Sequence, residues 1–294
     1  MMLGAALIAA MIYLGALFWL AAWRDRQPAG GVLKRRAGVI YGLSLAVYCT
    51  SWTFFGGVGT AATAGLDYLP IYLGPILVFT LGFGLVRRIL AQAKAQHSTS
   101  IADFLSARYG KSASLAALVT VIASAGTLPY MALQLESVGA AMLTLDPTLR
   151  AQLAADELVL LVAALMGLFA ILFGSRRADR AGDNAGLVLT IAVEAVVKLA
   201  ALLAVGGLAL WWLVAGDAPP LPSRPALLAD NPFDARFAVL TLIAATAILC
   251  LPRQFHMSFI EAPGERASPA MQWVLPAYLA LTAAIIVPIV LAGL

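Results

Sequence analysis

Long apolar runs separated by short charged segments constrain the fold of this chain more than any other feature of its sequence. An α-helix needs about 20 consecutive apolar residues to cross a bilayer. Only 12% of the residues are charged, roughly half the usual share in a soluble domain. The pattern predicts an all-α polytopic membrane protein with eight transmembrane helices, at about 2–23, 38–59, 68–88, 113–144, 157–174, 184–214, 236–254 and 270–294.

Basic residues are distributed unevenly between the connecting segments. The segments rich in Lys and Arg are 24–36, 87–111, 176–180 and 253–266. The alternate loops contain only Arg150, Arg224 and Arg236. Because basic residues accumulate in cytoplasmic loops, we expect the N-terminus to lie outside the cell. The net charge of +4 resides in loops, so the sequence gives no sign of a nucleic-acid-binding face.

Two of the predicted spans are interrupted near the middle of the bilayer or toward one end. The first contains "YCTSWTFFGG" at 48–57, with hydroxyl groups and glycines. One interpretation is a face of small residues, at Gly56, Gly57 and Gly59, that lets another helix approach closely. The other is a discontinuous helix whose free backbone groups bind an ion or a solute. The seventh span contains "LPRQFH" at 251–256, and Pro252 must break or kink a helix there. Two interrupted spans in corresponding positions favour an inverted-repeat transporter core.

Polar residues occur inside two further spans. Glu194 and Lys198 are four residues apart in the sixth span and can pair on one helix face. They form either a structural ion pair or an ion-coupling element. Tyr130 and Gln134 share a face of the fourth span. They either line a cavity or form hydrogen bonds between helices.

Several kinds of site are not supported by the sequence. His97 and His256 have no ligand partners at metal-binding spacing, and we expect His256 and Arg253 to anchor a helix end at the cytoplasmic boundary. No catalytic motif is present. The predicted solute site has no clear arginine clamp, which disfavours polyanionic ligands. The N–H groups at the N-terminus of a broken helix could still hold a solute carboxylate.

Ser100 and Gly110 predict a short helix within 97–111.

Five segments give the chain a resemblance to a known family. They are "YGLSLAVYCTSWTFFGGVGTAA", "HSTSIADFLSARYG", "GTLPYMALQLESVG", "GLVLTIAVEAVVKLAALL" and "LPRQFHMSFIEA". With these, the chain resembles the sodium/solute symporter family, and more closely the symporter-type membrane domain of bacterial sensor histidine kinases. The resemblance implies a leucine-transporter (LeuT) fold with one extra N-terminal helix. It also implies that residues 1–294 are one incomplete symporter-like domain, the N-terminal part of a longer chain.

The same resemblance assigns roles to individual residues. Ala46 and Cys49 match carbonyl groups that face sodium, and Thr53 matches a position that faces the solute, with Trp52 and Phe54 beside it. Glu194 falls where relatives often carry an acidic residue. Thr241 and Thr246 lie along the solute-facing part of the seventh span. Lys198, one turn from Glu194, is a departure from the family pattern, and we hypothesise that its ammonium group supplies a fixed cation in place of sodium.

The resemblance implies a solute-sensing or transport module in the inner membrane of a bacterium. It would bind a small polar nutrient such as an amino acid between the broken helices, with Na+ or H+ as the coupling ion. A response regulator and a second copy of the chain are the expected partners through a kinase region. The alternative is a freestanding ion-coupled secondary transporter.

Overall fold

The computed structural model describes residues 2–27, 36–146, 148, 155–174, 184–215, 233–264 and 269–293. Within these ranges the regular structure is helical and contains no strand. The helices are α1 (Met2–Asp25), α2 (Ala37–Ser44), α3 (Ser51–Ala64), α4 (Pro70–Thr80), α5 (Phe83–Ala95), α6 (Ile101–Ala107), α7 (Ala113–Leu145), α8 (Ala155–Gly174), α9 (Ala185–Ala215), α10 (Ala235–Cys250), α11 (Pro252–Phe255) and α12 (Pro269–Gly293).

Four helices, α1, α7, α9 and α12, are long and apolar enough to cross a membrane without interruption. Three further pairs qualify as bent spans: α2 with α3 (57°), α4 with α5 (71°) and α10 with α11 (58°). The described residues therefore contain up to seven spans, which confirms an all-α membrane protein. Helix α8 (Ala155–Gly174) covers the remaining predicted span, but it is not among the helices that qualify as a span within the described residues. A count of eight stays a prediction.

The predicted continuous span at 68–88 is wrong. Helix α4 ends at Thr80, and α5 leaves it at an angle of 71°. Gly82 lies at the bend, where a Cβ atom would come within 2.8 Å of the Val78 carbonyl oxygen. Helix α5 has a polar face that carries Arg87 and Arg88. Because this face favours contact with water, α5 does not continue in the direction of the apolar helix α4.

Helices of other spans pack against parts of the two broken spans. Helix α4 packs against α10, and α9 packs against α2 and α12. Gly74 allows the first contact, because a Cβ atom there would lie 2.5 Å from the Ala245 backbone nitrogen. Buried tyrosines add long-range hydrogen bonds to carbonyl groups, such as Tyr41 to Ser258 (2.7 Å) and Tyr68 to Ala283 (2.9 Å). These contacts fix where the breaks lie relative to each other.

The short helix predicted within 97–111 is confirmed as α6. The Ser100 hydroxyl accepts a hydrogen bond from the Asp103 backbone N–H at 3.1 Å and caps its N-terminus. Gly110 follows the helix with φ of +66°, a left-handed conformation that glycine adopts without strain.

Candidate functional site

The first break separates α2 and its following 3₁₀ turn (Leu45–Tyr48) from α3. Cys49 and Thr50 have extended backbone conformations, with ψ of 116° and −164°. Thr50 and Thr53 form a capping box that starts α3, in which the Thr53 hydroxyl accepts from the Thr50 backbone N–H at 3.2 Å. The hydroxyl residues of the "YCTSWTFFGG" stretch therefore have a local purpose: they allow a helix to restart inside the membrane span.

The second break lies between α10 and α11. Leu251 is extended, with ψ of 126°, and Pro252 occupies the first position of α11. Proline suits that position because its missing N–H would be unpaired there. Gln254, which is 1% exposed, donates its side-chain amide to the Leu45 carbonyl oxygen at 3.2 Å. The two breaks therefore meet.

Helix α7 supplies a third set of polar groups at the same place. The Tyr130 hydroxyl donates to the Thr50 hydroxyl oxygen at 2.6 Å. The side-chain amide oxygen of Gln134 accepts hydrogen bonds from the Ser51 backbone N–H (3.3 Å) and from the Ser51 hydroxyl (2.7 Å). Tyr130 and Gln134, predicted to share a helix face, therefore both contact the restart of α3.

Arg253 also contacts this junction, which the sequence analysis did not predict. Its guanidinium group donates to the Tyr130 hydroxyl oxygen at 3.2 Å and lies 5.4 Å from the centre of the Tyr130 ring. This geometry combines a hydrogen bond with a cation–π contact. An arginine is therefore present at the junction, although the sequence showed no clear arginine clamp.

A cavity of about 480 Å³ extends from this arginine between α3, α4, α7 and α10. We call it the Arg253 cavity, and its lining includes Thr50, Trp52, Thr53, Tyr72, Tyr130, Leu133, Leu240, Ile243 and Arg253. Asp67 lies in its lining as well and pairs with Arg236 at 2.9 Å. The volume falls within the range of small-molecule sites.

A second cavity, of about 300 Å³, lies on the opposite side of the first break. We call it the Lys198 cavity, and it is lined by Cys49, Thr50, Ser51, Thr53, Phe54, Lys198, Ala201, Leu202, Val205, Tyr278 and Thr282. Thr50 and Thr53 line both cavities. The restart of α3 therefore separates two spaces, each with one basic side chain at its edge.

Lys198 is held by groups of the protein itself. Its ammonium nitrogen lies 3.0 Å from a Glu194 carboxylate oxygen and donates to the Cys49 carbonyl oxygen at 2.8 Å. The Ala46 carbonyl oxygen accepts from the Cys49 backbone N–H at 2.9 Å. Both carbonyl groups that were expected to face sodium thus have partners, and an ammonium group stands beside one of them. This arrangement does not fit a sodium ion at the Cys49 carbonyl, because the ion would lie close to the fixed positive charge of Lys198.

Of the other predicted site residues, some line a cavity and some do not. Trp52 lines the Arg253 cavity, and Phe54 lines the Lys198 cavity. Thr241 and Thr246 are not among the described residues that line either cavity. Each donates its hydroxyl to a carbonyl of its own helix, Thr241 to Phe237 at 2.8 Å and Thr246 to Ile243 at 2.8 Å.

The glycines of the first break serve packing at one position only. A Cβ atom at Gly57 would lie 2.9 Å from the Tyr72 hydroxyl oxygen, so this glycine allows α4 to approach. At Gly56 the added atom would meet the ring of Trp52 on the same helix, and at Gly59 it would meet nothing within 4 Å. The small-residue interpretation therefore holds for Gly57 and does not explain the break.

Sequence reasoning missed Arg253 and Gln254. The available signal was Pro252: a chain that turns at a proline presents the residues after it in a new direction.

A separate polar cluster surrounds Glu261, beyond the end of α11. Its carboxylate accepts from the Asn184 side-chain amide at 2.7 Å and lies 3.0 Å from the His256 ring nitrogen. Burial raises the pKa of Glu261, but hydrogen bonds from His256 and Asn184 outweigh it, so the pKa lies below its ordinary value. Within the described ranges, no group of three or more His, Cys, Asp or Glu side chains is arranged to hold a metal.

Comparisons with known proteins give one match. A family model described as "Sodium:solute symporter family" matches residues 32–223. The search of curated proteins gave no match. The search of solved structures also gave none. The matched range includes the first break, Tyr130, Gln134, Glu194 and Lys198.

Proposed function

The chain belongs to the sodium:solute symporter family, and on that premise we propose that it binds a small polar solute in the Arg253 cavity. Membership supports a solute-transport-related function in a membrane, with Na+ as the coupling ion of the class. The finer assignments below, including a LeuT-type inverted-repeat arrangement, are our proposals.

The meeting of the two breaks is the observation that carries the proposal. Two spans bent by 57° and 58° are joined by the hydrogen bond between Gln254 and the Leu45 carbonyl. Irregular backbone at membrane depth is tolerated where it lines a cavity. Thr50, Trp52, Thr53, Tyr130 and Arg253 give that cavity its polar and aromatic surface.

Lys198 supports a specific role for the second cavity. Its ammonium group, at 2.8 Å from the Cys49 carbonyl oxygen, stabilises the unpaired end of α2 and its 3₁₀ turn as a bound cation would. Glu194 balances the charge at 3.0 Å. We propose that Lys198 provides this cation permanently, so that solute binding continues when sodium is absent.

The sequence resemblance supports the further proposal that the domain serves a bacterial sensor histidine kinase. An amino acid is the proposed solute. Binding would shift the population of two conformations, and signalling requires that the solute binds one of them more tightly. A response regulator and a second copy of the chain would be partners through the kinase region, and the N-terminus would lie outside the inner membrane.

A freestanding secondary transporter is the second candidate, and the family match favours it directly. Two assays on the full-length gene product distinguish the candidates. Amino-acid-dependent autophosphorylation without accumulation of the solute supports a receptor, whereas uptake into proteoliposomes without phosphorylation supports a transporter. If neither amino acids nor sugars bind the purified protein, both candidates are rejected.

A further inference from the structure

We infer that Arg253 binds the carboxylate of the solute, and that the solute is therefore a small monocarboxylate, with or without an amino group. This inference rests on the proposed function and deepens it, because it names the anchoring residue and the chemical class of the ligand. The sequence analysis gave Arg253 no role in solute binding, whereas the structure places it in the lining of the cavity.

Arg253 differs from the other basic residues near the cavities in its partners. Lys198 pairs with Glu194, and Arg236 pairs with Asp67. Among the residues that the structure describes, Arg253 has no carboxylate within ion-pair distance, and its hydrogen bond goes to the neutral Tyr130 hydroxyl. The protein therefore places a positive charge in the cavity without neutralising it.

The position of this charge makes it accessible to a ligand. Arg253 is exposed and lines the cavity, so its unused N–H donors can be reached from the cavity. Aliphatic side chains, including Leu133, Leu240 and Ile243, form much of the remaining lining. The planar guanidinium group also matches the two oxygens of a carboxylate, which it can bind through two parallel hydrogen bonds.

The N-terminus of α3 is a poorer candidate for holding the carboxylate. The Ser51 backbone N–H already donates to Gln134, and the Thr53 backbone N–H is taken by Thr50 in the capping box. A solute would have to displace these internal hydrogen bonds. Arg253 offers further N–H donors without such a loss, since guanidinium carries more donors than the one that Tyr130 engages.

The cavity also limits the size and charge of the solute. Its volume of about 480 Å³ accommodates an amino acid or a short-chain acid with room for water. One unneutralised guanidinium group favours one carboxylate. Trp52, Tyr72 and Tyr130 would surround the remainder of the solute and favour an apolar or modestly polar side chain.

Matched pairs of acids and amides test the inference on the full-length protein in lipid nanodiscs. The probes are propionate with propionamide, L-alanine with L-alaninamide and L-proline with L-prolinamide, with D-glucose as a neutral reference. Calorimetry measures their affinities for the wild type, Arg253→Gln, Arg253→Lys and Arg88→Gln. The last variant removes an exposed cation of α5 that lines neither cavity and serves as the matched control.

We expect at least one acid to bind the wild type about 10-fold more tightly than its amide, because a hydrogen bond to a charged group contributes about 1.5–3 kcal/mol. Arg253→Gln should abolish that preference, Arg253→Lys should keep part of it, and Arg88→Gln should keep all of it. Equal binding of acid and amide, binding of glucose alone, or a preference that survives in Arg253→Gln would overturn the inference and leave solute binding intact. Absence of binding by every probe would overturn the inference and the proposed function together.

Discussion

Lys198 and Arg253 stand on opposite sides of the same helix restart, yet the protein treats their charges differently. Lys198 has an internal carboxylate at 3.0 Å and an internal carbonyl at 2.8 Å. Arg253, within the described part of the chain, has a tyrosine and no carboxylate. A charge that is paired within the protein stabilises the fold, whereas an unpaired charge can bind a ligand of opposite charge. On this comparison we propose coupling or structural support for the Lys198 cavity and solute recognition for the Arg253 cavity.

Replacing Lys198 by Met should have the largest effect, because it removes the internal cation and leaves the Cys49 carbonyl without its donor. We expect solute affinity in potassium buffer to fall about 30-fold, since loss of one partner of such a pair is strongly unfavourable. Sodium should restore part of the affinity in the variant, and calorimetry in sodium and in potassium measures this. The wild type should bind equally in both salts, and complete loss of its binding in potassium would contradict the role given to Lys198.

Tyr130→Phe should have a smaller effect on the other side of the restart. The variant keeps the ring below the guanidinium group but loses the hydroxyl that links Arg253 to Thr50. One such hydrogen bond contributes about 1 kcal/mol, so the affinity for the preferred acid should fall roughly 5-fold. Thr246→Val is the control, because Thr246 bonds only carbonyls of its own helix, and it should bind as the wild type does. Equal loss in both variants would argue against a local role for Tyr130.

Gln254→Leu tests whether the two sides depend on the same junction. The substitution removes the hydrogen bond from the second break to the Leu45 carbonyl. Loss of one such hydrogen bond costs about 1 kcal/mol. We expect a lower melting temperature in detergent and weaker solute binding together. A protein that is as stable as the wild type would show that the breaks are held in another way.

Glu261 extends the comparison to a negative charge with internal partners, and its effect should be the smallest. Hydrogen bonds from His256 and Asn184 hold its pKa below the ordinary value. A carboxyl group with a lowered pKa in the folded state stabilises the fold above its unfolded pKa, and this contribution is lost as the pH falls. The melting temperature should therefore decrease on acidification below about pH 4–5. Glu261→Gln should show a weaker decrease, and an unchanged pH profile would argue against this assignment.

The sequence predicted the positions of both breaks for sound physical reasons. Glycines and hydroxyl groups in "YCTSWTFFGG" and the proline of "LPRQFH" are local signals, and the structure places a break at each. Tyr130 and Gln134 were also accessible from helical spacing, because α7 is regular over both.

The direction in which a side chain points in the folded protein could not be predicted from such local sequence signals. Arg253 follows a proline, and only the packed structure shows that the new direction leads to Tyr130. Thr241 and Thr246 share a helix with cavity residues but lie off the cavity-lining face of α10, which carries Leu240, Ile243, Ala244 and Ala247. The bend between α4 and α5 was not predicted, because the sequence changes gradually from apolar to polar residues there.

A structure of the full-length protein with its preferred acid bound would test the central claim most directly. We predict that the solute lies in the Arg253 cavity, with its carboxylate oxygens about 2.7–2.9 Å from the guanidinium nitrogens, and that Lys198 still contacts Glu194 and the Cys49 carbonyl. A solute found in the Lys198 cavity, or one whose carboxylate faces away from Arg253, would contradict the account.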